Sequence, residues 1–290
     1  NIQGNGEVAK KMIIEFAQRK DPELAEWISV NVVFPSSMVD RITPRSTQAL
    51  QSEVEALFGP DPFAPVMAED FTQWVVDDHF AAARPDLTQV GVTFTKNVDP
   101  YEEAKIRILN GGHTCLAYLG ALAGHHTFDQ AMADPELFAH FEEFERGEVL
   151  PALVEALPFD KNLYLDQIIM RFKNASIGDT VERICADGYL KFPIFIHPTL
   201  VGCLKQGILP RAGLRAIASW YVFCKHIEAG TLPIAYGEPY WDNLRELLQA
   251  GQIDRFARSA SLWGTLPQDH PEFTPAFIAA ITEMEKKWPV

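Results

Sequence analysis

Pro100-Tyr101-Glu102-Glu103-Ala104-Lys105-Ile106-Arg107-Ile108-Leu109-Asn110-Gly111-Gly112-His113 divides the chain into two regions of different character. Pro100 suits the first turn of a helix, and the glutamates that follow favour its positive end. C-terminal to it, apolar spacing predicts helices over 101–124, 131–156, 160–173, 178–187, 211–229, 239–250 and 273–287. Proline and glycine clusters such as Leu209-Pro210 and Gly230-Thr231-Leu232-Pro233 separate some of them. N-terminal to it, helical spacing over 7–30 and 47–58 is interspersed with β-rich pieces at 30–34, 39–44, 71–76 and 91–95. The expected fold class is mainly α. A linking segment with short strands and helices covers 1–100, and a helical domain covers 101–290.

Within the opening stretch, three polar side chains share a wide arc of one helix. At roughly 100° per residue, Asn110 lies roughly 140° from Lys105, and His113 roughly 80° from it. Gly111 and Gly112 each cost a helix interior about 1 kcal/mol relative to alanine, so a close approach to the backbone is expected there. A lysine, an amide and an imidazole over a glycine floor can move a proton and hold a carbonyl oxygen. The same residues could also be a solvated lysine, a helix end and a satisfied core histidine.

Composition narrows the function classes. The 290 residues are 47% hydrophobic and 22% charged, ordinary for a chain with a real core. The formal charge of −14 repels phosphate backbones and anionic lipid surfaces, so neither nucleic acid nor a membrane is an expected partner. No apolar run reaches the roughly 20 residues of a membrane span, and Asn1-Ile2-Gln3-Gly4-Asn5-Gly6 does not read as a signal peptide. Cys115, Cys185, Cys203 and Cys224 form no CxxC pair and read as structural thiols of a reducing, cytoplasmic compartment. The adjacent His125-His126 lacks a third ligand at metal spacing, so no metal is expected. Nor does the chain hold GxGxxG or GxxxxGK[ST]; the phosphate-cradling loop of a nucleotide site is not within these residues.

Lys105, Asn110 and His113 form K-x4-N-x2-H, which resembles the signature of the polyol-specific long-chain dehydrogenases, the mannitol dehydrogenase family. Further segments resemble that family in order along the chain. They are Asn1-Ile2-Gln3 with Asn5-Gly6, Phe34-Pro35-Ser36-Ser37-Met38-Val39-Asp40-Arg41-Ile42-Thr43-Pro44, Phe71-Thr72-Gln73-Trp74-Val75, and Arg183-Ile184-Cys185-Ala186-Asp187-Gly188 with Lys191-Phe192-Pro193. Relatives usually carry serine where this chain has Gly112.

The resemblance implies a helical substrate-binding domain like the C-terminal domain of 6-phosphogluconate dehydrogenases. It also implies NAD or NADP as cofactor and a polyol or ketose as the small-molecule partner. The start at Asn1 and the missing glycine loop suggest a truncated chain. On that basis the N-terminal Rossmann domain is expected to be absent, the dinucleotide to be bound mainly by that missing domain, and this fragment to be inactive alone.

By resemblance, Lys105 is the general base, Asn110 and Asn1 donate hydrogen bonds to the developing alkoxide, and His113 orients the reacting hydroxyl. Arg183 and Lys191 bind distal hydroxyls, Asp40 lines the nicotinamide side of the substrate site, and Glu102 relays protons between Lys105 and solvent. Segments 103–110, 230–233 and 256–264 look nearest to D-arabinitol 4-dehydrogenases, placing D-arabinitol first, mannitol second and fructuronate third. A fructuronate- or mannonate-type oxidoreductase and a helical binding module without activity of its own are the rivals.

Overall fold

The computed structural model describes residues 3–60, 64–154, 156–249 and 252–290. The chain divides into two compact units, Asn1–Lys105 with Glu155–Pro158, and Ile106–Val154 with Phe159–Val290.

The first unit opens with two packed helices, α1 (Asn5–Lys20) and α2 (Pro22–Asn31). Asp21 separates them. Its extended backbone ends α1, and its carboxylate accepts the Glu23 and Leu24 N–H groups at 3.1 Å, capping α2. That cap and Pro22 carry helix through Val30, so the β-rich piece expected at 30–34 is not a strand. Strands β1 (Ser37–Asp40), β2 (Gln73–Asp77) and β3 (Val92–Thr95) form a sheet in that order, with helix α3 (Gln48–Phe58) between the first two. β1 runs antiparallel to β2, with Asp40 opposite Gln73. β2 and β3 run parallel, which requires the crossover through 78–91. Met38, Val75 and Val98 form a buried cluster, with Tyr101 packed against it. Helix α4 (Asp99–Ala104) follows.

The second unit is helical. Among the described residues it has no strand beyond the isolated Thr127–Thr180 bridge. Helix α5 (Gly111–Leu122) is buried at every position but His113, as a helix apolar all round must be. It packs against the Arg211–Ala229 helix, the Val181–Cys185 helix and α7 (Pro135–Phe144), which follows α6 (Phe128–Ala133). The Arg211–Ala229 helix is buried along 12 of its 19 residues and packs on the C-terminal Phe273–Lys287 helix.

Its first turn has no side-chain cap of its own. Glu148 supplies one from outside, accepting the Ala212 N–H at 2.7 Å and the Gly213 N–H at 2.8 Å. Burial nevertheless pushes its carboxyl up to about 7.

From the sequence, Lys191 is expected in a loop that follows a helix ending at 187. The structure puts helices at Gly188–Phe195 and His197–Lys205, the first with Pro193 inside it. That first helix is entered through Asp187, the one described non-glycine residue with positive φ, at 61°. Gly188 follows in a polar cradle. A Cβ there would come within 2.6 Å of Trp220 Nε1 and 2.7 Å of both Tyr118 Oη and Tyr236 Oη. Those atoms are already committed: Tyr118 to the Cys185 carbonyl at 2.8 Å, Trp220 to Tyr236 at 3.0 Å, and Tyr236 to Glu238 at 2.9 Å. Gly188→Ala is therefore expected to destabilise the protein by about 1–3 kcal/mol. Urea unfolding would check this, and an unchanged midpoint would contradict it.

Candidate active site

Lys105 is buried and ends the Asn1–Lys105 stretch of the first unit. It opens a π-helical segment, Lys105–Asn110, that joins α4 to α5. An i→i+5 winding sets a residue about one turn above the one five positions earlier. Lys105 and Asn110 are thus one turn apart along the segment, not offset by the roughly 140° of an α-helix. The next α-helical turn, at Gly111, leads to His113.

These residues divide between the two units. In the first, Glu102 is buried; its Oε2 accepts the Gly4 N–H at 2.9 Å while Oε1 has no hydrogen-bond partner among the described residues. Burial raises its carboxyl above the ordinary carboxylate range. Asp40 is buried at the end of β1, and the adjacent Ile42 N–H and Arg41 Nε both bind Glu69, at 2.6 Å and 2.8 Å. Asn1 lies outside the described residues.

In the second unit, His113 is half-buried against aromatic rings. Its imidazole stacks on Phe172 with centroids 4.0 Å apart and planes 26° apart, and meets Phe128 edge-on at 4.7 Å. Gly111 and Gly112 on the same helix are both close-packed. A Cβ on Gly111 would lie 3.2 Å from the Phe195 carbonyl oxygen, and one on Gly112 would lie 2.8 Å from both Glu145 Oε1 and Phe141 Cε2. Arg107, also buried, donates from Nε to Thr199 Oγ1 at 3.0 Å and from a terminal nitrogen to the Ala152 carbonyl at 3.3 Å.

Arg183 and Lys191 are brought near one another, and the arginine's charge adds to burial in disfavouring the protonated Lys191. Both are already held. Arg183 makes a two-pronged ion pair with the buried Asp179, its Nε donating to Oδ1 at 2.5 Å. Lys191 Nζ donates to the Ile184 carbonyl at 2.8 Å, and burial lowers its ammonium pKa. Asp179 does a second job through its backbone, whose carbonyl accepts the Phe128 N–H at 2.9 Å. The arginine's anchor and the ring beside His113 therefore share one residue.

Sequence reasoning missed Asp179, Phe128, Phe172 and Glu145. The Asp179–Arg183 spacing of four was a legible ion-pair signal; the rings, from distant helices, left none. Among the described residues, no group of three metal-ligating side chains comes together, and His125 pairs with Asp134 at 3.1 Å. No helix among them is long and apolar enough to cross a membrane.

One unit with a small mixed sheet, a second that is mainly helical, and a helix carrying K-x4-N-x2-H define the class to which comparison with known proteins can be put. The family model "Mannitol dehydrogenase C-terminal domain" matches residues 97–285, and "Mannitol dehydrogenase Rossmann domain" matches residues 1–89. The chain belongs to the mannitol dehydrogenase family. It is 37% identical over 270 residues to D-arabinitol 4-dehydrogenase of Klebsiella pneumoniae, covering 92% of this chain and 59% of that protein. It is 39% identical over 246 residues to mannitol 2-dehydrogenase of Cereibacter sphaeroides, covering 85% and 51%. Among solved structures, the ternary complex of Pseudomonas fluorescens mannitol 2-dehydrogenase with NAD and D-mannitol matches with a TM-score of 0.87 and 34% identity, over 98% of this chain and 58% of that one. The chain thus spans somewhat more than half the length of these relatives.

These matches correct one expectation. The N-terminal Rossmann domain is not absent from this chain, because residues 1–89 match its family model. The glycine loop is only one part of such a domain. A segment without it can still carry the domain's strands and helices, and here it includes a parallel strand pair. Two further expectations rested on the missing domain, that the dinucleotide is bound by a domain outside the chain and that the fragment is inactive. Neither is supported by the comparisons.

Proposed function

We propose that this chain serves a nicotinamide-dependent polyol dehydrogenase that oxidises a secondary alcohol of an alditol to a ketose, with D-arabinitol the first candidate and D-mannitol the second. The observation that carries the reading is the π-helical winding that sets buried Lys105 and Asn110 one turn apart. π-Helical turns inside α-helices are frequent at functional sites. NAD or NADP is the hydride acceptor in this proposal. The described residues offer no glycine-rich turn between a strand and a helix to cradle a pyrophosphate, so no step is derived through the dinucleotide.

What the chain's own residues do is handle the proton and the sugar chain. The Lys105 amine takes the proton from the reacting hydroxyl as general base. The Asn110 amide donates a hydrogen bond to the oxygen as negative charge develops, as Asn1 would from the chain start. A neutral donor stabilises that oxygen without competing for the proton. His113 orients the hydroxyl, Glu102 passes the proton from Lys105 to solvent, and Asp40 lines the substrate site. The buried free thiols fit a reducing, cytoplasmic setting.

The Asp179–Arg183 pair favours an alditol over a uronate. A guanidinium already neutralised by a buried carboxylate still offers donors to distal hydroxyls, but it has little charge left for an anionic substrate. In the intact protein, Arg183→Ala is expected to raise KM for D-arabinitol and D-mannitol roughly ten-fold, equivalent to about 1.4 kcal/mol of lost hydroxyl binding, with kcat changed less. Steady-state kinetics on D-arabinitol, D-mannitol, D-sorbitol and D-fructuronate, each with NAD and NADP or their reduced forms, would test this. Turnover of the uronate alone would overturn the alditol assignment in favour of a fructuronate-type enzyme, and turnover of none would favour a binding module.

A further inference from the structure

We infer that Phe172, with Phe128 against its edge, is the positioning residue that fixes the plane of the His113 imidazole; the inference rests on the proposed role of His113 in orienting the substrate hydroxyl. Rotation of a histidine ring about χ2 is soft, with broad and roughly two-fold wells. Ring packing is one way to supply what the torsion does not. Phe172 lies face to face with the imidazole at 4.0 Å, so a quarter turn of the histidine would drive a ring edge into the phenyl face. Phe128 meets the imidazole at 4.7 Å with planes 76° apart and closes the second direction.

The two phenyl rings are locked to one another and to the core. Phe128 and Phe172 pack edge-to-face at 5.0 Å, and Phe141 packs on Phe172 at 5.9 Å. All three are buried. The Phe128 backbone is pinned by its hydrogen bond to Asp179. Phe172 is the last residue of the Lys161–Phe172 helix, more than fifty residues from His113 in sequence. Glycine at 112 is what admits this arrangement. A Cβ there would lie 3.4 Å from Phe172 Cε2 and 2.8 Å from Phe141 Cε2, forcing one ring to shift.

The test uses the intact protein and three variants: Phe172→Leu, Phe172→Tyr and Phe128→Leu. Leucine keeps an apolar side chain but removes the flat face; tyrosine keeps the face. Two readouts are taken on folded protein. One is the ring-current shift of the His113 carbon-bound protons in selectively histidine-labelled protein, assigned with His113→Gln. The other is kcat and KM for the best alditol substrate. The expected result is loss of the upfield shift in Phe172→Leu together with a fall in kcat of roughly ten-fold or more, KM changing less. Phe172→Tyr restores both, and Phe128→Leu gives a smaller change of the same kind. Should Phe172→Leu fail to fold, Phe128→Leu carries the comparison.

Loss of the shift with unchanged kcat, beside an impaired His113→Gln, overturns the positioning role alone. A shift that survives Phe172→Leu also overturns it. If His113→Gln itself leaves turnover intact, the site assignment fails first, and the positioning role with it.

Discussion

Lys105→Ala in the intact protein is expected to lower alditol oxidation by about 10²–10⁴-fold, the usual contribution of a positioned general base. The alcohol must lose its proton as it loses hydride, and a buried site without the lysine leaves that proton to solvent. The loss should fall mainly on kcat, because in the proposed mechanism alanine removes a group used in the chemical step and not one that holds the distal hydroxyls. A small primary amine added to the assay should restore part of the rate. Asn110→Ala should be milder, since the amide only stabilises charge that the lysine's action creates. Steady-state kinetics with and without the amine would check both expectations. Turnover of Lys105→Ala equal to that of the parent would remove the lysine from the base role.

The second large effect concerns stability, and it arises in the same helical unit. Glu145 is fully buried, and neither of its carboxyl oxygens has a hydrogen-bond partner among the described residues. Burial pushes its carboxyl well above the ordinary value of 4.5, a rise only partly opposed by Arg107 and Arg146. The folded protein therefore keeps this proton at pH values where the unfolded chain has released it. As pH rises above about 4.5, folding loses stability at up to about 1.4 kcal/mol per pH unit, until the raised native pKa is passed.

Glutamine does not titrate. The stability of Glu145→Gln relative to the parent should thus climb as pH rises above about 4.5. Two neighbours in the same unit also titrate. Burial raises Glu148 to about 7, giving the same sign of effect, and lowers His140 to about 3, giving the opposite sign below its ordinary value of 6.5. Both are present in parent and variant, so the difference between the two isolates Glu145. Urea unfolding of each protein at several pH values is the measurement. A stability difference that does not vary with pH would mean that the carboxyl is ionised in the folded state, with a partner the geometry does not reveal.

Both predictions turn on features with different legibility. Lys105, Asn110 and His113 stand in the sequence as a spaced motif, and the resemblance gives each a candidate role. Their geometry does not follow from the spacing. Apolar periodicity announces a helix through 101–124, yet it cannot distinguish an α-helical from a π-helical turn, because both bury Ile106, Ile108 and Leu109. Glu145 is less visible still. In sequence it is one of four glutamates in Glu142-Glu143-Phe144-Glu145-Arg146-Gly147-Glu148, and nothing marks it as the buried carboxyl with no hydrogen-bond partner among the described residues.

Sequence by itself determined the mostly helical character after Pro100, the strands near 71–76 and 91–95, and the K-x4-N-x2-H motif, because each is written in local spacing and composition. It misjudged the first 89 residues, where the missing glycine loop was read as a missing domain, since a domain's strands carry a weaker signal than its phosphate-binding turn. Tertiary structure alone decided which charges and rings meet. Asp179 neutralises Arg183 and holds Phe128, Phe172 slides beneath His113, and Glu148 caps a helix that begins more than sixty residues later. The physical reason is the range of the forces involved. Helix and strand periodicity comes from hydrogen bonds and burial within a few residues, whereas the orientation of a site comes from packing and desolvation between segments that are neighbours only after the chain has folded.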